Sequence, residues 1–181
     1  MSSPDRADEV DRWIEETVHR ALAYAITLVR NRADAEDIVQ DCYGRLLARS
    51  EQYDLPRDGS KLLFKAIANA CINHVQRRPP TVQLEIAAGA AGPDRLSLAD
   101  RSEAVPDRRA MRREFEEAIA AALAELPVTQ RAVLELRILG HSLIEVAEML
   151  EMSHANARTV LHRARRTLAA RLRPFLEDDV A

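Results

Sequence analysis

Glycine, cysteine and long apolar runs are all scarce in this sequence. Only five of its 181 residues are glycine, while alanine, leucine, arginine and glutamate are abundant, a composition that predicts an all-helical protein. No run of about 18 apolar residues occurs, so we expect no membrane span. The first ten residues, MSSPDRADEV, lack the apolar centre of a signal peptide. We therefore expect a cytoplasmic protein.

The two cysteines give no reason to expect a disulfide or a metal site. Cys42 and Cys71 both fall on apolar helix stripes, which favours buried free thiols in a reducing compartment. Cys71 and His74 have the spacing of two metal ligands, but no second ligand pair exists, so a buried, hydrogen-bonded histidine is the better interpretation. A glycine-rich phosphate loop, a zinc-protease motif and a nucleophile elbow are all missing. We expect neither an enzyme nor a cofactor.

The most informative stretch runs from Leu126 to Arg173. Ser142 followed by Glu145 has the pattern of a capping box, which predicts the start of a short helix. Ser153 is a second N-cap candidate, and a helix of about 20 residues follows it. A short capped helix, a tight turn and a longer helix are typical of a helix-turn-helix, whose second helix lies in the DNA major groove.

The second helix of this motif separates apolar from cationic residues. Its predicted buried stripe consists of Ala157, Val160, Leu161, Ala164 and Leu168. The opposite face collects Ala155, Thr159, His162, Arg163 and Arg166, with Arg158 and Arg165 on its flank. A basic helix face is often merely solvated, but residues 151–173 hold six arginines and one acid in a chain of net charge −3. Because arginine forks suit phosphates and guanine edges, this local excess favours DNA binding.

The first 78 residues predict a tail of about eight residues and then three helices. The first helix covers about 11–30, and Asn31 caps the second, which begins DAEDIVQD. The exposed side of the second helix carries Asp37, Gln40, Asp41 and Gly44. A solvated acidic face explains these residues on physics alone, although glycine costs about 1 kcal/mol against alanine in a helix and so hints at a packing partner.

The third helix is expected from about Ser60 to Arg78, after a loop at 51–59. Its predicted buried side holds Leu63, Ala66, Ile67, Ala70 and His74. Its outer side alternates lysine and amide side chains around an apolar Ile72, which suits contact with a nucleic-acid strand and its bases.

Helical patterning is lost between Thr81 and about Asp107, where glycine, proline and serine gather. We interpret this stretch as a flexible linker. The predicted architecture is therefore two small helical domains, at 10–78 and 108–173, joined by a linker at 79–107, with the helix-turn-helix in the second domain.

Two segments resemble one protein family. DAEDIVQD at 34–41 and the stretch at 126–168, with its LP, QR, GxSxxEVA and RAR elements, are similar to regions 2 and 4 of bacterial RNA polymerase sigma factors. The compact extracytoplasmic-function (ECF) class has only these two regions. The resemblance covers about residues 10–78 and 108–172.

The resemblance implies partners and site residues. Core RNA polymerase, through its beta-prime clamp, would be bound by Asp34, Glu36, Asp37, Gln40, Asp41 and Gly44. The non-template strand of the minus-ten element would be held by Lys61, Lys65, Asn69, Asn73, Gln76 and Arg77. The minus-thirty-five element would be read by Ser153, His154, Asn156, Arg158, Thr159, His162, Arg163 and Arg166. The beta flap of the polymerase and an anti-sigma factor are further partners that such a family implies.

Five positions depart from the family pattern and concern mainly the promoter sequence. Leu62 stands where tryptophan is frequent, Asn73 where aspartate is common, and Glu151 where glycine is usual; Asn156 and Ala157 replace threonine and valine. A glutamate in a left-handed turn would cost about 1 kcal/mol.

One alternative is a stand-alone helix-turn-helix regulator that binds DNA without polymerase. Such proteins usually bind a palindrome as dimers, and residues 10–78 offer no obvious ligand pocket or dimer seam. Dependence of DNA binding on polymerase distinguishes the two functions.

Overall fold

The computed structural model describes residues 3–77 and 106–177, and every regular element in these ranges is a helix. The helices are α1 (Ser3–Val29), α2 (Arg32–Leu47), α3 (Leu55–Arg77), α4 (Pro106–Glu125), α5 (Val128–Ile138), α6 (Leu143–Met149) and α7 (His154–Glu177). The all-α prediction is confirmed. Most of the predicted linker at 79–107 lies outside the described residues, as do residues 178–181. No helix in the described ranges has the length and apolarity needed to cross a membrane.

Three helices begin at the caps that the sequence predicts. The Asn31 side chain accepts a hydrogen bond from the Asp34 amide at 3.1 Å. In the capping box, the Glu145 amide donates to Ser142 Oγ at 3.2 Å, and the Ser142 amide donates to the Glu145 carboxylate at 2.7 Å. The Asn156 amide donates to Ser153 Oγ at 3.1 Å. Each bond satisfies an amide that the first helical turn leaves without a partner.

Two predicted boundaries are wrong. Helix α1 already begins at Ser3, within the expected tail. Helix α3 begins at Leu55, inside the expected loop, because Asp54 Oδ1 accepts from the Arg57 amide at 3.3 Å and Pro56 fits the first helical turn. Gly59 then lies within the helix and is buried against the ring of Trp13. Its role is close packing and not chain reversal.

Helices α1, α2 and α3 form the N-terminal half of the fold around aromatic side chains. The ring of Tyr43 meets Trp13 edge-on at 5.4 Å, and its hydroxyl lies 2.7 Å from Thr17 Oγ1. Tyr24 and Phe64 pack edge-on at 5.6 Å and are both fully buried. Tyr43 and Phe64 were not among the residues expected to be buried.

Helices α4 to α7 form the C-terminal half, in which α7 packs on α4, α5 and α6. On α7, Ala157, Leu161 and Ala164 are buried, while Val160 and Leu168 are half-buried, as the apolar stripe predicts. Gly140, with φ of +97°, follows α5 and makes the turn towards α6 that a residue with a side chain would adopt under strain.

The two halves are packed against each other, which the sequence analysis did not anticipate. Helices α1 and α3 contact α5, and α3 also contacts α6. The buried apolar residues of both halves form one continuous cluster. Helix α3 therefore has neighbours in both halves: Phe64, for example, meets Tyr24 of α1 and His141 of the C-terminal half.

Both cysteines are free and buried, as expected. Burial raises the pKa of the Cys42 thiol, and it raises that of Cys71 to about 12. His74 is half-buried and places its Nε2 3.5 Å from Asp34 Oδ2. Among the described residues, no three histidine, cysteine, aspartate or glutamate side chains gather in a way that could hold a metal ion.

Candidate functional surfaces

Helix α2 presents a small acidic patch to solvent. Asp37, Gln40, Asp41 and Gly44 are all exposed and follow one another at helical spacing. A Cβ placed on Gly44 would meet nothing within 4 Å. Among the described residues, nothing therefore packs against Gly44, and the helix surface is open at the C-terminal end of this group. We call these four residues the α2 patch.

Two other residues predicted for this surface are engaged elsewhere. Asp34 is half-buried and faces His74 across the interface of α2 with α3. Glu36 is exposed but pairs with Arg32, one helical turn earlier, at 2.7 Å. The structure therefore separates Asp34 from the α2 patch and leaves Glu36 at its margin.

The predicted nucleic-acid residues of α3 fall into two groups. Asn73, Gln76 and Arg77, near the end of the helix, are exposed. Lys61, Lys65 and Asn69 are half-buried, and the two lysines face the C-terminal half. We call the full set of six the α3 row.

The lysines of the α3 row are held by carboxylates of the helix-turn-helix. Lys61 Nζ lies 2.9 Å from Glu148 Oε2, and Lys65 Nζ lies 3.2 Å from Glu151 Oε1. The hydrogen bond that Lys61 donates to Glu148 raises the pKa of Lys61. The residues of the C-terminal part of the row are therefore the more exposed ones, and the two lysines already have ion-pair partners.

Helix α7 presents its predicted face without obstruction. All eight residues assigned to the minus-thirty-five element are exposed: Ser153, His154, Asn156, Arg158, Thr159, His162, Arg163 and Arg166. The buried stripe on the other side of the helix fixes their direction. The turn before α7 contains Glu151 with φ of 53°, so the predicted left-handed glutamate is present.

Sequence analysis missed two buried charged residues of α5. Arg131 and Glu135, one turn apart, are 5% and 2% exposed. The burial of Arg131 has no signal in the helical pattern, because its guanidinium meets the Leu28 carbonyl of α1, 103 residues away. The sequence gives only a weak indication of the ion pairs that Glu148 and Glu151 form with α3. The two lysines are four residues apart and the two carboxylates three, so each pair lies on one side of its segment and the two sides can face each other.

Comparison with known proteins places both halves in one context. The chain matches the family model "Sigma-70 region 2" over residues 13–79 and the model "Sigma-70, region 4" over residues 116–168. It is 32% identical over 168 residues to the ECF RNA polymerase sigma factor SigM of Mycobacterium tuberculosis H37Rv, covering 90% of this chain and 76% of that protein. It is 27% identical over 150 residues to SigW of Bacillus subtilis, covering 81% and 79%.

A solved structure shares the fold. The sigma factor RpoE of Bartonella quintana, crystallised in complex with the anti-sigma factor NepR, superposes with a TM-score of 0.61 at 19% sequence identity. The match covers 91% of this chain and 96% of the other.

Proposed function

Because this chain belongs to the ECF class of RNA polymerase sigma factors, we propose that three of its surfaces share the work of promoter recognition. A sigma factor binds core RNA polymerase and directs it to promoters. In our proposal the α2 patch binds the polymerase, the α3 row holds the minus-ten element, and α7 reads the minus-thirty-five element. The observation that carries the proposal is the match to region 2 and then region 4, on halves that expose an acidic and a basic helix face respectively.

The α2 patch is the proposed docking site for the beta-prime clamp. Two exposed carboxylates, Asp37 and Asp41, precede Gly44 on the same face of α2, and the missing side chain of this glycine lets another surface approach the helix backbone. Charged residues on a rim of this kind contribute mainly to the rate and specificity of association. Glu36 adds charge at the margin, whereas Asp34 supports the site through its contact with His74.

The α3 row is the proposed site for the non-template strand of the minus-ten element. Lysine ammonium groups attract the phosphates of a single strand, and asparagine and glutamine amides can donate to and accept from base edges. Holding unpaired bases offsets an unstacking cost of a few kcal/mol per base, and this is how binding alone can melt duplex DNA. No covalent chemistry is required, and we propose that the protein has none.

Helix α7 is the proposed reader of the minus-thirty-five element. Arg158, Arg163 and Arg166 can position the helix on phosphates or form bidentate contacts with guanine. Asn156 and His154 in the first turn lie where a recognition helix meets base edges. Ser153, Thr159 and His162 complete the exposed face.

The remaining proposals concern organisation and partners. We propose two helical domains, at 10–78 and 108–173, connected by the linker at 79–107, and a cytoplasmic location, since the polymerase acts there. The beta flap of polymerase is a proposed partner of the C-terminal domain. An anti-sigma factor is also proposed, because the Bartonella quintana sigma factor of similar fold is bound to one.

Reconstituted transcription tests the function. Core RNA polymerase, the purified chain and genomic fragments should give run-off transcripts with discrete starts, and core polymerase alone should give none. A chain that never binds core polymerase, yet protects specific duplex sites by itself, would favour the stand-alone regulator.

A further inference from the structure

Two carboxylates of the helix-turn-helix form ion pairs with lysines of α3. Glu148 lies near the C-terminal end of α6, and Glu151 lies in the turn that follows it. They meet Lys61 and Lys65 at 2.9 and 3.2 Å, across 87 and 86 residues of chain respectively. Glu151 does so from a left-handed backbone that favours glycine. A position that would suit glycine therefore carries the carboxylate that covers Lys65.

A buried guanidinium anchors the same interface. Helix α1 ends at Val29, and its terminal carbonyls have no partner within the helix. Arg131 of α5 donates to the Leu28 carbonyl at 3.0 Å and is only 5% exposed. A cation at a helix C-terminus is favourable for the helix dipole. One half of the chain thus caps a helix of the other half.

An aromatic contact also joins the two halves. The fully buried ring of Phe64 on α3 meets the ring of His141 edge-on at 6.0 Å. Arg20 of α1 stacks over Phe64 at 5.7 Å and donates to the Leu139 carbonyl at 3.3 Å. The interface therefore has a desolvated centre and a charged rim, and Lys61 and Lys65 belong to the rim.

We propose that the free chain adopts a closed state in which Glu148 and Glu151 stand in for DNA phosphates on Lys61 and Lys65, so that the α3 row is shielded from the minus-ten strand. The proposal rests on the proposed DNA-binding role of α3. The two ion pairs at the rim can break and re-form, because their four side chains remain 39% to 71% exposed. A strand and the helix-turn-helix compete for the same two ammonium groups, so the row becomes available when the halves separate.

Closure is tested by resonance energy transfer between dyes on the two halves of the full chain. The dyes are attached at Glu51→Cys and Ala169→Cys, both exposed positions outside the interface, while the buried native thiols stay unlabelled. At low salt, K61E/K65E and E148K/E151K should each lower the transfer through like-charge repulsion. The combined fourfold exchange should restore it, because opposite charges face each other again. Transfer that is identical in all four proteins would overturn the closed state.

Shielding is tested with a fluorescein-labelled, random-sequence single-stranded DNA 12-mer and fluorescence anisotropy. E148Q/E151Q should bind about fivefold more tightly than the unaltered chain at low salt, as two exposed ion pairs allow, and the difference should shrink as salt rises. The matched control is E114Q/E117Q, which changes the same net charge at exposed positions on α4. It should gain less than twofold.

The lysines must account for the gain. In a K61Q/K65Q background, E148Q/E151Q should give no increase in affinity. An equal gain in the control, or a gain that survives without the lysines, would overturn shielding. If the proposed role of α3 is itself wrong, no variant gains affinity although the fourfold exchange still restores energy transfer, so the two failures are distinguishable.

Discussion

Gly59 is buried in α3 directly beneath the indole of Trp13. A Cβ on Gly59 would lie 2.8 Å from Trp13 Cε2, closer than packed side chains allow. We predict that Gly59→Ala destabilises the fold by about 1–3 kcal/mol, as overpacking of a core does. Urea unfolding followed by circular dichroism measures this. An unchanged midpoint would mean that Trp13 can move aside.

Gly44 is the matched opposite case, because it lies on a helix with open space around it. Gly44→Ala should raise stability by up to about 1 kcal/mol through helix propensity. It should at the same time weaken binding to core polymerase, since a methyl group would protrude at the C-terminal end of the α2 patch. Gain of stability with unaltered polymerase affinity would count against close docking at this point.

His141 makes the stability of the fold depend on pH. Burial lowers its pKa, with smaller contributions from Arg20 and Lys61 in the same direction and from Glu145 in the other. The folded chain thus prefers the neutral ring, and the unfolded chain takes up the proton more readily. Stability should fall as the pH drops below the ordinary histidine pKa of about 6.5.

Unfolding in urea at pH 7.5 and pH 5.5 tests this expectation. The unaltered chain should lose more stability between the two values than His141→Gln does, because the variant lacks the titrating ring. Equal losses in the two proteins would show that other groups carry the pH dependence.

Residues whose roles depend on near neighbours were predictable. Asn31, Ser142 and Ser153 each bond to an amide three residues on, and such caps are visible as short sequence patterns. Arg131 and Phe64 were not predictable. Arg131 meets Leu28, 103 residues away, and Phe64 meets Tyr24 and His141 on two other parts of the chain. Helical periodicity does not show which helices meet.

At the level of elements, the proposed role of α2 in docking to polymerase depends on its exposed carboxylates. We predict that D37R/D41R lowers affinity for core polymerase at least tenfold while leaving the unfolding midpoint nearly unchanged, as exposed substitutions usually do. A pull-down with core polymerase, paired with thermal unfolding, measures both. E15R/E16R on the exposed side of α1 is the control with the same charge change, and comparable losses in the two variants would argue against a specific patch.

The proposed role of α7 in reading the minus-thirty-five element depends on its exposed arginines. R163A/R166A should weaken binding of the polymerase complex to promoter DNA and lower the slope of log K against log salt by about 2, because two phosphate contacts are lost. Filter binding between 50 and 300 mM salt measures the slope. Arg171→Ala is the control, since Arg171 pairs with Glu125 at 2.7 Å further along the helix, and its slope should stay close to that of the unaltered chain.

At the element level, the helices of the C-terminal half were predicted closely, whereas the start of α3 was not. Pro56 and Gly59 are typical of loops, and the sequence analysis therefore expected a loop at 51–59. In the fold, Pro56 sits in a first turn and Gly59 admits an indole. The same residue types serve both purposes, and only the position of Trp13 distinguishes them.

At the scale of the whole molecule, the net charge does not show how acidic and basic residues are distributed over the surface. A chain of net charge −3 carries acidic residues on α2 and arginines on α7, at the surfaces proposed for polymerase and for duplex DNA. The contact between the halves adds a third use of charge, in which carboxylates of the C-terminal half face lysines of α3. We therefore expect polymerase binding and DNA binding to be coupled through the arrangement of the two halves.

The central claim is that promoter selection requires both halves of this chain to be held by core polymerase. Footprinting of a promoter with the chain alone, and with chain and core polymerase together, tests it most directly. We expect protection of both the minus-ten and minus-thirty-five elements in the complex, and no selective protection by the chain alone. The same selective footprint without polymerase would contradict it.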